Sequence, residues 1–121
     1  ESNAHNIEAH EKLFGLLTKS WRNFWNNETL PFYFVQLSSL NRPSWPWFRD
    51  SQRCLMNEIP NTAMVVSSDK GDQWDVHPTQ KREVGERLSL WALNKTYGFY
   101  SVMPSGPLFK DVVFEKNNDV Y

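Results

Sequence analysis

The chain has 121 residues, of which 40% are hydrophobic and 22% charged, and its formal net charge is -1. These values exclude a disordered chain and predict one modest folded domain or part of a larger one. Without a run of lysine or arginine, we expect neither nucleic acid nor an anionic membrane surface as a partner. The single cysteine, Cys54, excludes an internal disulfide, and no apolar stretch is long enough to insert across a bilayer.

The first half of the chain predicts a helix, a strand and a second helix. Between about residues 6 and 25, apolar side chains recur at the spacing of one helix face, namely Phe14, Leu17, Trp21, Phe24 and Trp25. The run 31–37 is aromatic and β-branched, which predicts a strand buried on both faces. Ser44 is the expected cap of a helix that continues to about Glu58, with inward positions at Phe48, Leu55 and Ile59.

The second half continues the alternation of strands and helices and then departs from it. A strand over 62–67 leads through a loop to a third helix, which Thr79 caps and Gly98 ends. The order predicts an α/β fold with a parallel sheet, and because two strands leave open sheet edges, we expect further strands upstream. Residues 99–121 predict a β-strand or hairpin segment leading towards a following β-rich domain. We therefore divide the chain into 1–98 and 99–121.

The residues best suited to chemistry lie in the loop 71–78, after the second strand. The carboxyl ends of parallel strands are where α/β proteins bind ligands. His77 has Asp69, Asp72 and Asp75 nearby in sequence, a combination that predicts a general base with a carboxylate that orients its ring. Ordinary turn aspartates would give the same composition. A lone histidine lacks the ligand spacing of a zinc site, so we expect no metal.

Two further groups of side chains have alternative interpretations. The aromatic segment 45–48 predicts either a platform for sugar stacking or core packing, with half of it expected in the core. Gln36 and Gln52 are polar among apolar neighbours and must find hydrogen-bond partners if they are buried. We expect these two amides to order the loop that carries His77.

Five segments, in order, match the pattern of one hydrolase family. Residues 1–4 read E-S-N-A, residues 30–37 fit L-P-F-x-x-V-Q-L, Arg49 and Gln52 fit R-x-x-Q, and residues 106–108 fit the end of S-G-P-L. Residues 75–88 fit D-I-H-P-x-x-K-x-x-V-G-x-R-L with valine in place of isoleucine. Together they cover nearly the whole chain, which thus resembles the sialate O-acetylesterases and related acetylesterases of the SGNH hydrolase superfamily.

The resemblance implies a three-layer α/β/α, flavodoxin-like fold and an esterase that removes acetyl groups from sugars through a serine nucleophile and an acyl-enzyme. His77 would be the base. The superfamily's acid commonly lies three residues before the histidine, where this chain has Trp74, so Asp75 is the first choice and Asp72 the alternative. The family pattern sets Asn3, with Ser2 and Glu1, beside the oxyanion hole. No metal or organic cofactor is implied.

The family's nucleophile lies in a G-Q-S-N-like block that residues 1–121 lack. Residues 1–98 thus resemble the carboxyl-terminal half of an esterase domain, whose partner is the N-terminal remainder of the same protein and which we expect to be inactive alone. The expected substrate is an O-acetylated sugar, first of all an acetylated sialic acid. Acetylated xylan or another plant polysaccharide, and a noncatalytic carbohydrate-binding fragment, remain alternatives. The family suggests an extracytoplasmic location: periplasmic, secreted or lysosomal.

Overall fold

A computed structural model describes residues 2–113 and has an α/β architecture. Its main elements are three helices and two strands in the order α1 (Ile7–Phe24), β1 (Phe32–Val35), α2 (Trp45–Glu58), β2 (Thr62–Val65) and α3 (Lys81–Trp91). A short 3-10 turn over Ser68–Lys70 follows β2, and a π-helical turn over Ala92–Thr96 extends α3. The predicted order of elements is confirmed, with strands shorter than expected.

The two strands form a parallel sheet with helices on both faces. Phe32 pairs with Thr62 and Val35 with Val65, so side chains at alternate positions face opposite layers. On one face, Tyr33 and Val35 pack against a buried cluster made of Ala63 and Val65 of β2 and Val84 and Trp91 of α3. On the other face, the Phe14 ring of α1 packs against the rings of Phe32 and Phe34, with ring centroids 5.4 and 4.8 Å apart. The arrangement is a partial three-layer α/β/α fold.

The second helix confirms two of the three expected inward positions, while Ile59 is half-buried and follows the helix as its C-cap residue. Phe48 and Leu55 are 1% and 3% exposed, and Ser44 is the N-cap residue, as predicted. The Ser44 hydroxyl, however, makes no capping hydrogen bond. Pro46 suits the first turn because a proline there removes an N–H that the helix could not use.

The predicted apolar face of α1 is only partly buried. Phe14 packs on the sheet, but Leu17, Trp21, Phe24 and Trp25 are 44%, 52%, 81% and 64% exposed. The physical reason is the narrow sheet: two strands present too little surface to cover a helix of 18 residues. The burial on both faces expected for β1 is also incomplete, since Phe34 is buried there and the other three residues of the strand are half-buried.

The third helix and the following segment differ from their predicted bounds. Gln80, not Thr79, is the N-cap residue of α3, and Gly98 adopts a φ of +75° after the π-helical turn, consistent with its predicted role as a terminator. Residues 99–113 contain no strand, and residues 114–121 of the predicted β segment lie outside the described residues. Pro104 and Pro107 each lack the N–H that a ladder requires. No helix within residues 2–113 is long and apolar enough to cross a membrane.

Candidate active site

The loop 71–78 is held against the segment that follows β1. Gly71 lies so close to this segment that a Cβ atom there would be 2.6 Å from the Ser39 backbone nitrogen and 2.8 Å from the Ser38 Cβ. The Asn41 N–H donates to the Gln73 carbonyl at 2.9 Å. Both contacts join the two loops at the carboxyl edge of the sheet, so the position of the histidine-bearing loop depends on close backbone packing.

Ser38 connects the core directly to the residue before His77. Its buried hydroxyl donates to the Val76 carbonyl at 2.9 Å, and its own carbonyl accepts a hydrogen bond from the Trp45 indole at 2.6 Å. Val76 packs against the buried cluster that contains Trp45 and Phe48. A chain of contacts thus runs from α2 through Ser38 to the backbone that carries His77.

His77 and Asp75 form the central pair of the candidate site. One carboxylate oxygen, Oδ1 of Asp75, accepts hydrogen bonds from the His77 backbone N–H at 2.8 Å and from His77 Nδ1 at 3.0 Å. The backbone bond first, and the ring bond second, lower the pKa of Asp75 from its ordinary value. An ionised carboxylate only accepts, so Nδ1 carries a proton, and in the neutral imidazole Nε2 then has the lone pair. The pair has the geometry of a base with its orienting acid.

The other two aspartates of the cluster have different partners. Asp72 Oδ1 accepts the Trp74 N–H at 2.7 Å, which is a local turn contact. Asp69 accepts two hydrogen bonds from the Arg87 guanidinium, at 2.7 and 2.6 Å, which lower its pKa to about 2. Each of the three aspartates therefore has a different partner: Asp75 binds His77, Asp72 binds a backbone N–H of its own turn, and Asp69 binds Arg87 of α3.

These residues surround a cleft of about 360 Å³ at the carboxyl edge of the sheet. Its walls include Asp75 and His77 together with Asp69, Lys70, Gly71, Asp72, Pro78, Thr79 and Gln80. The side chains of His77 and Asp75 are 80% and 62% exposed, so solvent screens their interaction. Within residues 2–113, no serine hydroxyl hydrogen-bonds to the His77 ring, and no cluster of three potential metal-binding side chains is present.

The N-terminal turn packs into the same cluster as the histidine loop. Ala4 is 1% exposed and belongs to the buried cluster that Val76 contacts. The Asn3 carbonyl accepts the Asn6 N–H at 2.8 Å, and Ser2 is exposed. Glu1 lies outside the described residues. The turn and the loop therefore share one packing cluster, while the oxyanion-side role of these residues stays a prediction.

Gln36 and Gln52 act on the end of β1 and do not touch the histidine loop. Gln52 Oε1 accepts the Leu37 N–H at 3.0 Å, and Gln36 Nε2 donates to the Arg49 carbonyl at 2.8 Å. The buried Ser67 hydroxyl donates to the Gln36 carbonyl at 2.8 Å. The two amides thus fix the segment from which Ser38 follows, and their influence on His77 is indirect.

The aromatic segment divides between core and surface as expected. Trp45 and Phe48 are 2% and 1% exposed, whereas Trp47 is 71% exposed. His10 packs against Phe48 with ring centroids 4.2 Å apart, and burial lowers the pKa of its imidazole. His10 is therefore a packed helix residue.

Three features of the site were not identified from sequence. Ser38 has no motif of its own, and only its buried position next to Val76 reveals its role. The requirement for glycine at position 71 arises from a loop distant in sequence. Asp69 looked like a partner for His77 because the two are near in sequence, and Arg87 became its partner when α3 packed on the sheet.

Comparison with known proteins gives a consistent group of relatives. The chain is 31% identical to the sialate O-acetylesterase of Mus musculus, over 98% of this chain and 26% of that protein. It is 30% identical to the sialate O-acetylesterase of Homo sapiens, over 89% of this chain and 25% of that protein. No family model matches.

A solved structure agrees in both fold and sequence. A carbohydrate acetylesterase from Xanthomonas citri superposes with a TM-score of 0.85 at 33% identity, over 95% of this chain and 28% of that one. The partial α/β/α fold and the relatives define the chain as part of a domain of the SGNH hydrolase superfamily. Within that class it belongs to the sialate O-acetylesterase and acetylesterase family, and it spans about a quarter of the length of these relatives.

Proposed function

We propose that this chain provides the histidine base of a serine-dependent carbohydrate O-acetylesterase. The observation that carries the proposal is the bond between Asp75 Oδ1 and His77 Nδ1, which leaves Nε2 free to accept a proton. The relatives named as sialate O-acetylesterases support an acetylated sialic acid as the first substrate to test.

The proposed reaction follows acyl transfer through a covalent intermediate. A serine hydroxyl loses its proton to His77 Nε2 as its oxygen attacks the acetyl carbonyl, and Asp75 stabilises the imidazolium. The tetrahedral intermediate collapses when His77 returns the proton to the sugar oxygen, which leaves as the free hydroxyl. Water then attacks the acetyl-serine with the same help from His77, and acetate is released.

The proposed nucleophile comes from another part of the same polypeptide. The chain covers only about a quarter of its relatives, and the open edge of β1 and the exposed face of α1 offer surfaces for the remainder of such a protein. We further propose that Asn3 donates its amide N–H to the developing oxyanion, with Ser2 and Glu1 in the adjoining turn. Ala4 belongs to the buried cluster that Val76 contacts, which supports a position of the N-terminal turn close to the histidine loop.

The test uses the protein expressed from its complete reading frame with 4-nitrophenyl acetate as substrate. We expect His77→Ala to lower kcat/KM by at least about 10³-fold, because the proton acceptor is lost. Residues 1–121 expressed alone should give no turnover. Unchanged activity of the His77 variant, or clear His77-dependent turnover by residues 1–121, would contradict the proposed division of roles.

A second set of variants separates the two aspartates and tests Asn3. We expect Asp75→Asn to lower kcat by about 10²-fold or more, because the ring loses its orienting carboxylate. Asp72→Asn is the matched control, since its oxygen serves only a turn, and it should change kcat little. Asn3→Ala should lower kcat by about 10²-fold with little change in KM. Equal effects of the two aspartate variants would refute the assignment of the acid.

A further inference from the structure

A second cleft, of about 330 Å³, lies beside the histidine loop at the start of α2. Its walls consist of Ser39, Leu40, Asn41, Arg42, Pro43, Trp45, Pro46 and Arg49. Two of these residues are arginines and none is acidic. The cleft therefore combines two positive charges with an apolar wall, and it shares the segment 39–41 with the contacts that hold the histidine loop.

Neither guanidinium in this cleft has an anionic partner within residues 2–113. Arg49 donates one hydrogen bond to the neutral amide oxygen of Gln36 at 3.2 Å, while its buried Nε–H finds no acceptor among the described residues. Arg42 lies over the Trp45 ring at 5.6 Å. Because His10 Nε2 and Trp91 Nε1 are also buried without a partner, the observation that favours an anion is the pair of guanidinium groups at one cleft with no carboxylate to neutralise them.

The surroundings of the cleft also favour an anion. The amino terminus of α2, a helix of 14 residues, opens onto it at Trp45 and Pro46, and the Ser44 hydroxyl does not cap that end. The Trp45 and Phe48 N–H groups donate to the Arg42 and Ser44 carbonyls, so the contribution of this helix end to the cleft is its dipole, which favours negative charge. Planar guanidinium groups match a carboxylate well, because its two oxygens can each accept a hydrogen bond.

We propose that Arg42 and Arg49 bind the carboxylate of an acidic sugar and so select acidic over neutral substrates. The inference deepens the proposed function and rests on it. It also separates the alternatives that the sequence left open: a sialic acid carries a carboxylate, whereas a neutral xylan backbone has no group that would use the two charges. The Asn41 to Gln73 hydrogen bond links this cleft to the loop of the base.

The binding test compares one sugar with and without its charge. Calorimetry on the protein from the complete reading frame measures N-acetylneuraminic acid and its methyl ester, which keeps the ring and removes the negative charge. We expect the acid to bind at least about tenfold more tightly than the ester, and we expect this preference to fall with added salt. Equal binding of acid and ester would overturn the proposal. Glucuronic acid, as a second probe, distinguishes a general carboxylate site from one shaped for sialic acids.

Two arginine variants and a control assign the effect to the cleft. Arg42 is exposed, and we expect Arg42→Gln to lower the ratio of acid binding to ester binding by about tenfold. In turnover of O-acetylated sialic acid, the loss should be a rise in KM with kcat unchanged. Arg49→Lys keeps the charge but loses the planar fork, so we expect a similar loss. The control is Arg82→Gln, an exposed arginine of α3 paired with Glu86. A preference retained in both cleft variants would overturn the assignment.

The same variants distinguish failure of this inference from failure of the proposed function. The substrate 4-nitrophenyl acetate carries no carboxylate, so its turnover depends only on the proposed catalytic groups. If that turnover depends on His77 while the acid and its ester bind equally, the esterase stands and the carboxylate site fails. If no turnover occurs but the acid is preferred through Arg42, the carboxylate site stands as a binding site and the esterase fails.

Discussion

The position of the histidine loop depends on the absence of a side chain at Gly71. A Cβ there would approach the Ser39 nitrogen to 2.6 Å, a separation that side chains in proteins do not adopt. Because the nearest obstructing atom is the Ser39 backbone nitrogen, the loop would have to move. We expect Gly71→Ala to lower the free energy of unfolding by about 1–3 kcal/mol, the usual cost of overpacking, as measured by urea denaturation.

Gly85 provides the matched control for that substitution. It is an exposed residue of α3, and a Cβ added there would have no atom within 4 Å outside its own helix backbone and chain neighbours. Alanine favours a helix over glycine, so Gly85→Ala should stabilise the protein by up to about 1 kcal/mol. If both alanine variants changed stability in the same direction, close packing at Gly71 would not be the cause.

Asp69 makes the stability of the folded state depend on pH in the acid range. The Arg87 guanidinium lowers the pKa of Asp69 from 3.8 to about 2, so the folded state favours the ionised carboxyl. The resulting stability is complete above the ordinary pKa and is lost as the pH falls from about 4 towards 2. The midpoint of urea denaturation should fall with pH in the unsubstituted protein, and it should fall less in Asp69→Asn across this range. A parallel fall in both proteins would contradict the assignment.

At the scale of elements, α2 connects the sheet to the candidate site through Gln52. Its side-chain oxygen accepts the Leu37 N–H at 3.0 Å, and its amide nitrogen donates to the Val35 carbonyl at 3.4 Å. The residue is 6% exposed, so truncation leaves buried backbone groups without partners. This helix therefore holds the end of β1 by hydrogen bonds as well as by apolar packing.

We expect Gln52→Ala to lower the free energy of unfolding by about 1–3 kcal/mol, the cost of an unsatisfied buried polar group, measured by urea denaturation. The control is Asn57→Ala on the exposed side of the same helix, which should leave stability within about 0.5 kcal/mol. Equal stabilities of the two variants would show that the backbone finds other partners.

At the scale of the whole molecule, α1 presents an apolar stripe that nothing in residues 2–113 covers. Six large side chains between 44% and 81% exposed make up the stripe, namely Leu13, Leu16, Leu17, Trp21, Phe24 and Trp25. Contiguous apolar surface of this kind favours association. The stripe lies on the helix that packs over β1, next to a sheet of only two strands.

We expect residues 1–121 expressed alone to self-associate through this stripe. The double variant Leu16→Lys and Phe24→Lys should shift the chain towards the monomer in sedimentation equilibrium, because charge opposes burial of the face. The control carries lysine at Tyr97 and Tyr100, which are 69% and 83% exposed outside α1. If the control variant dissociated the chain equally well, the contact would not involve α1.

The order of elements and the chemistry of the loop were predictable because they depend on local patterns. Apolar spacing and β-branched runs identified the three helices and two strands. The aspartate two residues before His77 is close enough in sequence to reach its ring without help from the rest of the fold, and it does so. Family motifs spread along the chain led to the acetylesterases, which the comparisons confirm.

Contacts between segments distant in sequence required the tertiary structure. The partner of Asp69, the close approach at Gly71 and the bond from Ser38 to Val76 each join segments 18 to 38 residues apart, and no local pattern specifies which segments meet. The exposure of α1 likewise depends on the width of the sheet beneath it. By itself the sequence determined the elements and the His77–Asp75 pair, because both depend on neighbouring residues; packing alone decided where that pair is held and which charges surround it.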